Sequence, residues 1–382
     1  MLSTEPAASS SHTLPFSLAR IDWLVAGCAA LLFALGWVFI ASATRGSSEG
    51  WFSGLALRQL VFLAIGLAAF AAVQRVHYLT LLNWAPALYL ACLLMLCAVF
   101  LTRPVNGSRS WFDLYLFKLQ PSELMKPVLI LTLAYYLMYR DSYKRLTGLA
   151  VPLVLCFVPM ALILKQPDLG TTLAFVPVVF AMLYVAAARL WHLGLMVLAG
   201  NAGLVGMWFT VMKEYQKRRV LAWLNPEEYK LGEAWQLLKA ETAIGSGGFF
   251  GAGWGESAQS GLNFLPEKHT DFIFAVAAEE GGFVTSALII ALQGLLTLGA
   301  LNIAARTREP AGRLIAVGIA VLLGGQALIN MGVAVGLLPT TGLTFPLVSY
   351  GGSSLISSCL CLGLLVNVGA RNEPMFGRET FE

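Results

Sequence analysis

Charge is scarce in this chain. Only 12% of its 382 residues are Asp, Glu, Lys or Arg, against about 25% in a soluble domain. That shortage, together with 58% hydrophobic residues, excludes an ordinary soluble enzyme. The net charge of +4 is too small to point to nucleic acid. Cys28, Cys92, Cys97, Cys156, Cys359 and Cys361 all fall in apolar stretches without metal-ligand or paired-loop spacing, so they read as small buried hydrophobes. Residues 1–20 lack the basic n-region and cleavage site of a signal peptide, and their Ser/Pro/Ala-rich composition reads as an uncleaved disordered tail. The run GSGGFFGAGWG over Gly245–Gly255 lacks a following GKS or GKT and any GxGxxG spacing, so it reads as a mobile or re-entrant loop, not a nucleotide site. The matched pair of Gly/Pro-broken helices typical of many transporters is missing as well.

Long apolar runs are what the chain has instead. Stretches of roughly 18 residues or more, each long enough to cross a bilayer, recur along its length. We expect an all-α polytopic membrane protein with about ten transmembrane helices, near 21–43, 55–74, 78–101, 121–139, 149–164, 170–188, 191–212, 271–303, 312–337 and 352–370. The long eighth run could hide a break. An even number of spans puts both termini on one side. Residues 21–370 form a single membrane domain, 213–270 a large extracytoplasmic loop between helices 7 and 8, and 371–382 a second tail. Short basic loops around Arg140, Lys144, Arg145, Arg306, Arg308 and Arg313 point to a cytoplasmic side shared by the termini. The longer loops opposite also hold many cations, among them Lys213, Lys217, Arg218, Arg219 and Lys268. They fit either an anionic ligand outside or a solvated loop with internal ion pairs.

Five segments could carry chemistry. In FLPEKHTDFIFAVAAEEGG, Phe264–Gly282, a charged run ends at Thr270-Asp271 where an apolar span begins. Thr270 suits an N-cap, and Asp271 would fall at N1, where the helix dipole favours its ionised form. A carboxylate at a membrane boundary is by default a functional candidate, although a capping acid with no chemistry would look the same. Lys268 and His269 stand beside it. Glu279 and Glu280, farther along, must face the protein interior or a wet cavity, and we favour a structural role. In KLQPSELMK, Pro121 can open a helix, and Glu123 and Lys126 share a face three residues apart; Lys118 and Arg109 just before them are candidate phosphate ligands. In KQPDLGTT, Asp168 is read first as a helix cap. In LLPTTGLTFPLVSYGGSS, the prolines and glycines forbid a continuous helix, so the segment must line a cavity or lie at the interface, with Ser349, Tyr350 and Ser353 offering hydroxyls. The fifth is the glycine run already described.

Taken together, NGSRSWFDLYLFKLQPSELMK, KQPDLGTT, AIGSGGFFGAGWGESAQSGLNFLPEKHTDFIFAVAAEEGG and LLPTTGLTFPLVSYGGSS, in that order, resemble the SEDS family (shape, elongation, division and sporulation) of peptidoglycan glycosyltransferases. The glycine-rich stretch is closer to the elongation branch, and NGSRSWFDLYLFKLQPSELMK leans toward the division branch. The resemblance implies an enzyme of the bacterial plasma membrane that polymerises lipid II by an inverting reaction on its extracytoplasmic side. The growing glycan, held on undecaprenyl pyrophosphate, would be the donor. The family's essential Asp carries over to Asp271, its Glu/Lys pair to Glu123 and Lys126, its Q-P-D-x-G Asp to Asp168, and its S-Y-G-G-S-S stretch to Ser349–Ser354. Arg109, Lys118, Lys126 and Arg219 are candidates to stabilise the pyrophosphate, with Lys268, His269, Ser349 and Tyr350 as further substrate contacts. No metal-ligand cluster is legible; any Mg²⁺ or Mn²⁺ would ride mainly on the pyrophosphate. The implied partners are a class B penicillin-binding protein, which is a transpeptidase, and the elongation machinery. A lipid II flippase and a non-catalytic scaffold are the rival readings.

Overall fold

The structure is a computed structural model that describes residues 22–44, 54–103, 108–113, 118–138, 146–210, 212, 214–232, 234–256 and 267–371. The two expected tails apart from Arg371, Lys213, the loop cations Arg140, Lys144 and Arg145, and Gly261–Pro266 lie outside the described residues.

The helices are α1 (Trp23–Ala43), α2 (Gly54–Arg75), α3 (Tyr78–Asn83), α4 (Ala85–Ala98), α5 (Pro121–Met138), α6 (Ala150–Lys165), α7 (Leu169–Val185), α8 (Leu190–Thr210), α9 (Glu214–Leu224), α10 (Trp235–Ser246), α11 (Ile273–Arg306), α12 (Pro310–Ala334) and α13 (Gly352–Ala370). Six of them (α1, α2, α8, α11, α12 and α13) are long and apolar enough to cross a membrane, and α4, α6 and α7 are shorter apolar helices. With α5, and with α3 and α4 forming one crossing, they fill the ten expected positions. The third expected span is split where Trp84 separates α3 from α4 and a proline occupies the first turn of α4, a position that lacks an intrahelical acceptor for its N–H anyway.

Burial concentrates on α12 and α13, and α12 packs against α5, α7, α11 and α13. Helix α8 is the opposite case: His192 is its one buried residue, so its apolar faces are left to lipid. Of the cysteines, Cys97 is exposed and the other five are buried; all six are free thiols.

The long helix α11 does contain a break. Gly282 adopts φ 65° and ψ −162°, a region open essentially to glycine alone. Such a break orphans carbonyls and amides that lipid cannot satisfy. The glycine-rich segment after α10 supplies the partners. Ala252 N–H donates to Glu279 O at 2.9 Å and Gly253 N–H to Glu280 O at 3.1 Å, while Phe283 N–H donates to Gly248 O at 2.9 Å and Val284 N–H to Phe249 O at 3.2 Å. The reading of Gly245–Gly255 as backbone lying close to other elements thus has a specific cause.

Candidate active site

Four connecting segments meet at one end of the bundle. A two-residue-per-strand hairpin pairs β1 (Phe112–Asp113) with β2 (Lys118–Leu119). Ser353, in the first turn of α13, fastens it: Ser353 Oγ donates to Lys118 O at 2.8 Å and accepts from Gln120 N–H at 3.0 Å. The other segments are the α6–α7 reversal around Asp168, the turn before α11, and the 335–351 connection.

Asp271 is not at N1 of a helix. Helix α11 begins at Ile273 with Phe272 in the cap position. Thr270 and Asp271 belong to a turn closed by their N–H groups on Glu267 O, and Glu267 takes a positive φ of 52°. Thr270 Oγ1 points back to Glu267 and does not cap the helix. The turn is held by its backbone. Asn330 Nδ2 of α12 donates to Asp271 O at 2.8 Å and to Leu343 O at 2.7 Å. Ser349 Oγ donates to Thr270 O and accepts from Phe345 N–H. Tyr350 N–H donates to His269 O at 2.9 Å. With its hydroxyl bonded to backbone on both sides, the Ser349 side chain positions the turn.

Two cavities flank this turn. The smaller, about 180 Å³, is lined by Ser108, Ser110, Trp111, Gln120, Glu123, Gln166, Asp168 and Thr171, with Gly342–Thr344 on one side. The larger, about 440 Å³, is lined by Arg58, Phe62, Trp111, Asp113, Lys118, Gln120, Thr270 and Tyr350, with Gly351–Ser354. Trp111 and Gln120 are their common wall. Thr270 borders the larger cavity, and Asp271 Oδ2 comes within 3.7 Å of where a side chain on Gly342 would begin, at the edge of the smaller. Asp271 itself lines neither cavity; it lies in the turn beside them, next to Thr270 of the larger and close to Gly342 of the smaller.

Burial, then the Glu267 carboxylate, push the Asp271 carboxyl up to about 6. Thr270 and Arg219 oppose this and Asp168 adds to it, so Arg219 on α9 and Asp168 are close enough to be felt. Burial also lowers His269 and Lys268, with Glu280 and Glu279 holding Lys268 up. The His269 ring meets Tyr350 edge-on at 5.5 Å.

Asp168 is the N-cap of α7. Its carboxylate accepts from Thr171 N–H at 3.0 Å, Thr171 Oγ1 at 2.8 Å, Gln120 Nε2 at 2.9 Å and Ser122 Oγ at 3.3 Å, about the full capacity of a carboxylate. Glu123 and Lys126 form a buried pair at 2.7 Å within α5, and Ser357 Oγ of α13 donates to Glu123 O at 2.7 Å. Arg109 is turned elsewhere: its Nη1 donates to Phe100 O at 2.9 Å. Glu280 Oε1 accepts from Ser42 Oγ at 2.6 Å, tying α11 to α1 as a structural acid should. Among the described residues no three His, Cys, Asp or Glu come together as metal ligands.

Sequence reasoning passed over Arg58, Gln59, Gln166 and Asn330. Each is a polar residue in or beside an apolar run, which is itself a signal. Gln59 bridges the site from below, donating to Ser349 O at 3.2 Å and accepting from Gly351 N–H at 3.3 Å.

The family model described as cell cycle protein, covering FtsW, RodA and SpoVE, matches residues 22–373. The chain belongs to this family, the SEDS proteins. A probable peptidoglycan glycosyltransferase FtsW of Trichlorobacter lovleyi is 36% identical over 96% of this chain and 98% of the relative. The peptidoglycan glycosyltransferase MrdB of Escherichia coli K12 is 35% identical over 88% and 92%. Among solved structures, a chain from a study of polymerization and crosslinking by a peptidoglycan synthase complex matches with a TM-score of 0.79 at 35% identity, covering 92% of this chain and 98% of that one. The crystal structure of Thermus thermophilus RodA matches with a TM-score of 0.69 at 32% identity, covering 93% and 98%. This SEDS chain thus shares both sequence and fold with those proteins over nearly its whole described length.

Proposed function

We propose that this chain polymerises lipid II into β-1,4-linked glycan at the extracytoplasmic face of the bacterial plasma membrane, with Asp271 as the general base. It is a peptidoglycan glycosyltransferase, as its relatives are named. The observation that carries the mechanism is a carboxyl, Asp271, in the turn beside two polar cavities at one end of an apolar bundle.

A β-linkage made from an α-linked diphosphate requires inversion. The acceptor 4-hydroxyl oxygen forms the new bond to C1 of the donor sugar as the bond from C1 to the phosphate oxygen breaks. Asp271 takes the hydroxyl proton, and the electron pair leaves on the diphosphate. A base raised to about 6 is ionised at neutral pH yet basic enough to share the proton in the transition state. The described lining of the smaller cavity offers hydroxyls, amides and acids, which suits an uncharged sugar. The larger cavity carries Lys118, whose charge can stabilise the departing diphosphate. Lys126 holds Glu123 and orders α5. Any Mg²⁺ or Mn²⁺ would arrive as part of the diphosphate substrate. The lipid tail stays in hydrocarbon while its headgroup reaches water.

The glycine-rich resemblance supports an elongation role; the FtsW relative at 36% identity supports division as the second reading. The synthase-complex neighbour supports a transpeptidase partner of the class B penicillin-binding type, working with the elongation machinery.

The test is polymerisation of labelled lipid II by the purified protein, with and without that partner, for wild type and Asp271→Asn. Wild type is expected to make long glycan. The variant is expected to lose at least ~10²–10⁴-fold in rate while folding and binding the partner. Normal polymerisation by the variant would overturn the role of Asp271. No polymerisation by wild type would favour the flippase or scaffold.

A further inference from the structure

Arg58 stands at the outer end of α2, four residues into the helix. It is exposed, and it lines the larger cavity together with Tyr350, near enough for the phenol to feel its charge. The other cation of that cavity, Lys118, is in register with Asp113 across the hairpin, so an opposite charge stands beside it. Arg58 has a phenol for its neighbour. A planar guanidinium presented to a cavity in this way is suited to hold two phosphate oxygens at once.

The rest of the Arg58 face supplies the second observation. On a helix, positions three, four and seven residues on share a face. From Arg58 these are Val61, Phe62 and Ile65. Phe62 lines the same cavity. Val61 and Ile65 are 56% and 37% exposed, on a helix that crosses the bilayer. A cation at the water boundary is thus followed, over ~10 Å of helix, by an open apolar stripe. A free phosphate would use the cation only. A lipid-linked diphosphate uses both.

We propose that Arg58 is a substrate-binding residue that grips the diphosphate of a polyprenyl-linked substrate in the larger cavity, while the lipid tail descends along Val61 and Ile65. The assignment rests on the glycosyltransferase reading, and it divides the site: diphosphate in the larger cavity, sugar in the smaller, with the Asp271 turn beside them. The smaller cavity has its own mark of a sugar site. Gln166 is 1% exposed, its Nε2 donates to Leu96 O at 3.0 Å, and its Oε1 has no hydrogen-bond partner.

The test measures binding of undecaprenyl diphosphate to the full chain in nanodiscs, apart from catalysis. Arg58→Gln is expected to weaken binding ~10- to 100-fold, as loss of a charge-assisted pair does. Arg58→Lys should recover part of the loss. Arg75→Gln, at the far end of the same helix, should bind as wild type, and thermal unfolding should be unchanged in all three because Arg58 is exposed. Undecaprenol, lacking phosphate, should bind equally weakly to wild type and Arg58→Gln. Inorganic pyrophosphate should compete only at far higher concentration. Wild-type affinity in Arg58→Gln overturns the proposal, and pyrophosphate binding as tight as the lipid overturns the tail path. Lipid II polymerisation is assayed in parallel. A wild type that binds through Arg58 but makes no glycan refutes the polymerase reading alone; one that makes glycan while Arg58→Gln binds normally refutes this inference alone.

Discussion

The carboxyl of Asp271 is held where its own charge is unfavourable. Its value in the fold, about 6, lies above the ~3.9 of an unfolded Asp. The folded chain therefore binds this proton more tightly than the unfolded one. The stability so gained is present below about 4 and is lost as pH rises through about 6. At pH 7.5, Asp271→Asn should then raise stability, by about 1–2 kcal/mol once water at this half-buried turn is allowed for, while polymerisation disappears. Thermal unfolding in detergent at pH 7.5 and pH 5 checks the sign: the gain should shrink at the lower pH. In the wild type, the rate should fall about tenfold per pH unit below about 6, because only the ionised base acts. A flat profile from pH 7 to pH 5 would argue against Asp271 as the titrating base. Asn330 belongs to the same scale. Its amide ties Asp271 O to Leu343 O, so Asn330→Ala should lower kcat more than it raises KM, by ~10–100-fold, at a stability loss of about 1–3 kcal/mol. Equal changes in kcat and KM in steady-state assays would contradict positioning. The sequence made Asp271 visible, because a carboxylate at the start of an apolar run is rare. It hid Asn330, whose importance depends on which two distant carbonyls it reaches.

Helices were legible from apolar run length, and their interruptions were not. Pro86 and Trp84 split the third crossing, marked only by the single polar residue Asn83. Residues 213–270 read as one loop because α9 and α10 are too amphipathic to register as spans. Thr270-Asp271 looked like a helix start because side-chain chemistry at an N-cap and in a preceding turn is the same; Glu267, at a positive φ, moved the boundary. The break in α11 was open in the sequence as a question about its length, and its location depends on Gly282. Gly282→Ala should cost on the order of 1–3 kcal/mol from backbone strain alone. It would also press on Gly251 and Phe250 of the glycine-rich segment, releasing the hydrogen bonds that close the break. A lowered unfolding temperature with weakened polymerisation is the expected result. Unchanged stability would mean that the glycine-rich segment does not seal α11. Gly294, in the same helix with open space around it, is the matched control, and Gly294→Ala should leave stability unchanged or slightly raise it.

At the scale of the molecule, two ends of the bundle are chemically distinct. One collects the cavities, the hairpin and the Asp271 turn. At the other, Arg371 Nη2 donates to Gln74 O at 2.7 Å, Arg313 reaches Thr307 O, and Glu309 caps α12 through Gly312 N–H. A basic, tightly closed end and an open, cavity-bearing end are what a polymerase exporting glycan to one side requires. The positive-inside rule gives the expectation that the closed end is cytoplasmic. Cysteine labelling checks this. Lys230→Cys, exposed between α9 and α10, should react with a membrane-impermeant maleimide on intact spheroplasts, while Arg308→Cys, exposed between α11 and α12, should react only after permeabilisation. The native thiols provide a low background: five are buried, and the exposed Cys97 is replaced by Ser in both variants. Labelling of Arg308→Cys in intact spheroplasts would place Asp271 on the cytoplasmic side. There it would face the lipid-linked precursor before export and not the growing wall, and the polymerase reading would fail on geometry before any rate was measured.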